Sequence, residues 1–109
     1  MRRGGAVSKA QRDKGASAER EVAAILSETM GVKVTRKLGQ ARDGGDDIQV
    51  GRYRLEVKRR ETLSLDAWCE QVEACCGPQD VPVVVYRRNG KPWRVVLRLD
   101  DFIPLMREG

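Results

Sequence analysis

Two acids and a lysine stand close together near the middle of the chain: Asp47, Glu56 and Lys58, with a further acid at Asp46. Between them, Gly51-Arg52 reads as the two-residue connection of a tight hairpin. That turn sets Val50 opposite Tyr53, Gln49 opposite Arg54, Ile48 opposite Leu55 and Asp47 opposite Glu56. Side chains alternate along a strand, so Ile48, Val50, Tyr53, Leu55 and Val57 share one face, while Asp47, Gln49, Arg54, Glu56 and Lys58 share the other. Two carboxylates about 5 Å apart repel by roughly 3 kcal/mol at an effective dielectric near 20. A divalent cation between Asp47 and Glu56 would offset that repulsion. In a chain without histidine, oxygen ligands suit Mg²⁺ or Mn²⁺ rather than zinc. Such an ion can polarise a phosphate and acidify a bound water, with Lys58 orienting the nucleophile or neutralising developing charge.

On spacing alone, the competing description is a solvated strand face on which Lys58 or Arg54 pairs with the acids. A third carboxylate weighs against it. On a helical wheel anchored at Val22, Glu19 falls among Leu26 and Met30, whereas Arg20, Ala24 and Ser27 lie opposite. A carboxylate facing the core needs a partner, so Glu19 is expected to reach the same cation, directly or through its waters. Glu21 lies at the margin of that face and reads as a solvated helix charge.

The elements that must position these groups follow from periodicity. Residues 1–14 carry Arg2, Arg3, Lys9, Arg12 and Lys14 without apolar period, and read as a flexible basic arm ahead of one domain spanning 15–109. Ala18, Val22, Ile25, Leu26 and Met30 recur at helical spacing from Ala16, and Gly31 supplies a stop. Val32 to Leu38 reads as a short strand and Gly39 to Gly45 as a loop, followed by strands at Asp47–Val50 and Tyr53–Lys58. A helix is expected from Ser64, its candidate cap, to Cys76, with Leu65, Trp68, Val72 and Cys75 on one face. Strands at Val81–Arg87 and Trp93–Leu99 surround Asn89-Gly90, and Asp100 is expected to cap a last helix ending near Arg107. This order predicts an α/β fold in which helices flank a central mixed sheet.

Composition bounds the partner. Lysine and arginine outnumber aspartate and glutamate 21 to 16, with a pI near 9.4. Their clustering in the arm and at Lys58, Arg59 and Arg60 points to a polyanion such as nucleic acid. No run is long and apolar enough for a membrane span, and the first residues lack the apolar stretch of a secretory signal, so the expectation is a cytoplasmic protein. Cys69, Cys75 and Cys76 have neither the spacing nor the histidines of a zinc site, and suit a reducing compartment.

Three segments spell a known pattern: KGASAERE at Lys14–Glu21, DDIQV at Asp46–Val50 and LEVKRRETLSL at Leu55–Leu65. With VPVVVYRRNGKPWRVVLRL after them, the chain resembles the archaeal Holliday-junction resolvases. The resemblance implies the restriction-endonuclease-like PD-(D/E)XK core and metal-dependent hydrolysis of DNA. It maps the catalytic set onto Glu19, Asp47, Glu56 and Lys58. Mg²⁺ would be held by Asp47, Glu56 and the Val57 carbonyl, with Glu19 completing the outer site. The resemblance associates Arg36 with DNA contact, beside Lys14, Arg59 and Arg60 of the basic clusters as candidate DNA-binding residues, and suggests Gln71 as a neighbour of the site. Matched incisions in a four-way junction further imply a homodimer. Here Asp46 replaces the proline of the PD signature, so Asp46 is an alternative ligand, although strand parity and Ile48 favour Asp47. Other endonucleases of this fold, acting on flaps, nicks or duplex sites, and a non-catalytic nucleic-acid-binding relative are the rival readings.

Overall fold

A computed structural model describes residues 9–37 and 46–109. In chain order the elements are α1 (Lys9–Met30), β1 (Ile48–Val50), β2 (Tyr53–Arg59), α2 (Leu65–Glu73), β3 (Val81–Arg87), β4 (Arg94–Val96) and α3 (Leu99–Glu108). The strands form one sheet in the order β1-β2-β3-β4. The β1/β2 and β3/β4 pairs are antiparallel; β2 and β3 run parallel from Tyr53 opposite Val81 to Arg59 opposite Arg87, with α2 as the crossover. The architecture is α/β with a mixed sheet, compatible with a PD-(D/E)XK core.

The hairpin adopts the register its turn predicts, with Ile48 opposite Leu55, Gln49 opposite Arg54 and Val50 opposite Tyr53. Gly51 has φ 57°, the positive value that a two-residue turn needs at a central position and that glycine adopts without strain. Helix α1 covers one sheet face, packing Ala18, Val22 and Ala23 against Leu55, Val57, Val81, Val83 and Val85. On the other face, Trp68 and Val72 of α2 enclose Val84. This double cover explains why β3 reads VPVVVY without alternation, as buried parallel strands do. Each fully buried valine contributes about 1.5–3 kcal/mol, so the β2/β3 pair is the best-secured part of the sheet.

Four expectations need correction. The helix starts at Lys9, earlier than Ala16, because Ala10, Gln11, Arg12 and Lys14 are good helix formers that extend it into the segment read as an arm. Residues 1–8, and the loop expected at Gly39–Gly45, lie outside the described residues. Val32 to Leu38 does not form a strand among the residues described: only Arg36 bridges to Ile48. The Val34 amide is instead taken by Ser27 Oγ, at 2.7 Å. Ser64 occupies the N-cap position of α2 but makes no side-chain capping bond, and α2 ends at Glu73 rather than Cys76. Finally, β4 spans only Arg94–Val96, and α3 is preceded by Arg98 as N-cap, which places Asp100 inside its first turn.

Candidate active site

Glu56 lies at the centre of the best-secured strand. Its register partner is Val84, the residue enclosed by α2, so both point to the α2 side of the sheet. Double cover leaves Glu56 only 2 % exposed. One carboxylate oxygen, Oε2, is ion-paired with Lys58 Nζ at 2.9 Å. The other, Oε1, is buried and has no hydrogen-bond partner among the described residues. An orphaned buried acceptor costs roughly 1–3 kcal/mol, so this position is retained at the expense of stability. Burial, followed by the charges of Asp47 and Glu19 and opposed by Lys58, pushes the Glu56 carboxyl up to about 7.

Asp47 reaches the same place by a different route from the one expected. The β1 ladder ends at Ile48, and Asp47 sits in a bend whose amide donates to the Leu55 carbonyl at 2.7 Å. It therefore does not lie across the ladder from Glu56. Its Oδ2 instead accepts from the Val57 amide at 2.8 Å, bringing its carboxylate beside the backbone that follows Glu56. Burial raises the Asp47 carboxyl above the ordinary range despite the Val57 amide, Lys58 and a hydrogen bond shared with Glu19. Glu19, on α1, is also clamped by Arg36 Nε at 3.0 Å. The three carboxylates on α1, the bend before β1 and β2 are thus one electrostatic group, and Lys58 is its inner cation. The Lys58 ammonium also lies 6.0 Å from the centre of the Trp68 ring.

Asp46 has another role. Its side chain is 1 % exposed and pairs with Arg54 at 2.9 Å and Lys37 at 3.0 Å. Although burial pushes it up, these two cations hold its carboxyl below the usual range. Arg54 continues to Asp80 at 2.8 Å, so the network ties the entry to β1 to the entry to β3. With its charge already matched by two cations, Asp46 anchors these segments to one another.

The suggested DNA contacts separate. Arg36 is occupied by Glu19, whereas Arg59 and Arg60 lie where β2 ends, Arg59 donating to Asn89 Oδ1 at 3.2 Å. Lys14 is half-buried on α1, and Gln71 is exposed on α2 with no side-chain hydrogen bond among the described residues. Glu21 is not merely solvated: it accepts from Trp93 Nε1 at 3.1 Å and Arg87 at 3.4 Å, pinning α1 to the far side of the sheet. Its signal was the pairing of a helix-margin acid with an indole N–H that must find an acceptor when covered. The cysteines are free, and burial with the charge of Asp46 pushes the Cys75 thiol up to about 11, which removes it as a thiolate nucleophile.

Among the described residues no three acidic or sulfur side chains close into a ready metal cage. Asp47 and Glu56 can nevertheless supply two hard oxygen ligands, and the unpartnered Oε1 with two carboxyls raised by burial forms a site short of positive charge. Backbone oxygen, water and a substrate phosphate would complete the sphere, as Mg²⁺ sites commonly use few protein ligands. The residues present therefore fit a hard divalent cation.

Residues 10–108 match the model of a family described as "Phage putative PDDEXK endonuclease". This supports the superfamily that the resemblance implied, through a family other than the archaeal junction resolvases. No curated protein and no solved structure matches the chain.

Proposed function

The chain belongs to that phage PD-(D/E)XK endonuclease family, and from this premise we propose that it is a divalent-metal-dependent endodeoxyribonuclease acting on branched DNA, with the four-way junction as its favoured substrate. The observation that carries the reading is Glu56: a carboxylate buried beside Lys58 and Asp47, with one oxygen lacking a partner. Asp47, Glu56 and the Val57 carbonyl would hold Mg²⁺ or Mn²⁺, and Glu19 would contribute through a water. The bound ion supplies Lewis acidity towards the phosphate and a lowered pKa for water.

The chain's own groups do the rest. Lys58 is held by Glu56 and Trp68. It offers donors to the nucleophile or to the charge that grows on the phosphate oxygens. Arg36 holds Glu19 in place, while Arg59 and Arg60 add positive charge for a DNA backbone. Two incisions across a junction call for two copies related by symmetry. The free cysteines accord with work in the reducing cytoplasm.

The family description names an endonuclease without a DNA shape, which favours as second reading an enzyme of flaps, nicks or linear sites. Labelled four-way junction and matched linear duplex, incubated with protein or its Glu56→Ala variant in Mg²⁺ or EDTA, separate the readings. Paired symmetric nicks in the junction alone, lost with EDTA and with the variant, are expected. Cleavage of both substrates would leave the nuclease and remove the junction preference; tight binding without cleavage would leave only a binding protein.

A further inference from the structure

Two apolar surfaces lack a partner among the described residues. Among the described residues, the exposed large hydrophobics are Ile25, Met30, Val32, Val95, Leu99, Phe102, Leu105 and Met106, and all but Val32 fall on these two surfaces. One is a groove of about 450 Å³ between α1 and the sheet, walled by Val22, Ile25 and Met30 on one side and Tyr53, Trp93 and Val95 on the other. The other is α3, none of whose residues is buried.

Helix α3 is ill-suited to stand alone. It has ten residues, with Pro104 inside it. Isolated helices shorter than about 12–15 residues are marginal in water, and an internal proline removes a backbone hydrogen bond. Leu99, Phe102 and Met106 recur at i, i+3 and i+7, the stripe of a helix that packs on something. Only Leu97 and Arg98 separate it from β4, whose Val95 lines the groove.

We infer that α3 of one copy docks into the α1/sheet groove of a second copy, and reciprocally, forming a two-fold dimer. The inference deepens the proposed function, since it rests on that reading's need for two copies to place paired cuts, and it names the surface that joins them. One chain carries both complementary halves, as a closed isologous interface requires. The area suffices: a helix about 15 Å long and about 10–12 Å wide covers on the order of 300 Å² with the half that faces a groove. The groove gives up a similar area, and two-fold symmetry doubles the sum to roughly 1,200 Å², the lower edge of specific interfaces. Charge agrees as well. Exposed Arg52 lies 5.8 Å from the ring centre of Tyr53 in the groove wall, while α3 carries three acids, Asp100, Asp101 and Glu108, against one base, Arg107.

Sedimentation equilibrium of the full chain in EDTA, without DNA, tests this independently of any cleavage. The expected mass is twice the 12.2 kDa of the chain. Phe102→Asp, or Met106→Asp should the first variant fold poorly by circular dichroism, weakens the dimer on the order of 100-fold by burying a charge. Ile25→Lys does the same from the groove side. Mixing Phe102→Asp with Ile25→Lys restores a dimer, because one joint then pairs Asp with Lys and the other is native. A monomeric native chain, a folded Phe102→Asp variant that remains dimeric, or a mixture that stays monomeric overturns the inference, and a helix folded back on its own groove gives the first of these. The nuclease reading stands or falls separately on Glu56→Ala.

Discussion

Replacing Glu56 with glutamine should remove cleavage and make the metal-free protein more stable at neutral and alkaline pH. An ordinary glutamate titrates at 4.5 and Glu56 at about 7. Between those values the folded chain binds more protons than the unfolded one, so stability falls as pH rises through this window and levels off above it. At about pH 8 the ionised side chain costs on the order of 3 kcal/mol, and the 2 % exposure leaves little solvent to screen it. The attraction of Lys58 is already contained in that value, because it opposes the rise. Glutamine keeps the shape and abolishes the charge. Urea unfolding in EDTA should therefore show Glu56→Gln ahead by about 3 kcal/mol at about pH 8 and by less than about 1 kcal/mol at about pH 5, with unchanged m-values. Saturating Mg²⁺ should raise the native chain and leave the variant where it was. A variant no more stable than the native chain at high pH, or a gain that does not shrink on acidification, would refute the assignment of a buried, repelled carboxylate.

The adjacent aspartates should behave oppositely. Asp46→Asn breaks the buried pairs with Arg54 and Lys37 and should cost about 2 kcal/mol in unfolding, less than a fully isolated pair because Arg54 keeps Asp80, while cleavage per folded molecule survives. Asp47→Asn should lower cleavage by more than about 100-fold, the upper end for groups that only support a ligand, without lowering the unfolding midpoint at neutral pH. Glu21→Ala leaves Trp93 Nε1 and Arg87 without their shared acceptor; a loss of about 1–3 kcal/mol and a shifted tryptophan emission are expected by fluorescence-monitored unfolding. Arg60→Ala should reduce the slope of log binding constant against log salt by about 0.9 for duplex DNA in EDTA, one phosphate contact fewer.

Those contrasts mark where local sequence determines structure and where it does not. The hairpin register followed from Gly51-Arg52 because turn length and a two-residue period leave one arrangement that buries Ile48 and Leu55 together. The bounds of β3 followed from the break at Gly77-Pro78 and the turn at Asn89-Gly90, with an uninterrupted apolar run between them. Glu19 was legible because a charge on an apolar helix face demands company, and Arg36 provides it. By contrast, Asp46 and Asp47 differ in sequence only by parity, and their separation depends on Lys37, Arg54 and Asp80 converging from three segments. The missing strand before the loop is of the same kind: Ser27 captures the Val34 amide across a helix end, a competition invisible to alternation.

The contrast between the two aspartates, one held low by its cations and the other raised by burial, has a physical basis in the sheet. Parallel pairing of β2 with β3, covered on both faces, leaves no solvated side on which Glu56 could ionise cheaply. A fold built only for stability would place an apolar residue there, as it does at Val84 alongside. The Asp46 network holds β1 and β3 in place with matched charge, whereas Glu56, Asp47 and Glu19 gather about Lys58, with Arg36 on Glu19 and one Glu56 oxygen left without a hydrogen-bond partner among the described residues. Such a cluster binds a cation most strongly where it is least stable without one. The energy withheld from folding is then available as metal affinity, provided the carboxylates stay charged. Metal affinity should accordingly weaken as pH falls through about 7 with the protonation of Glu56, even though the metal-free fold gains stability over the same interval.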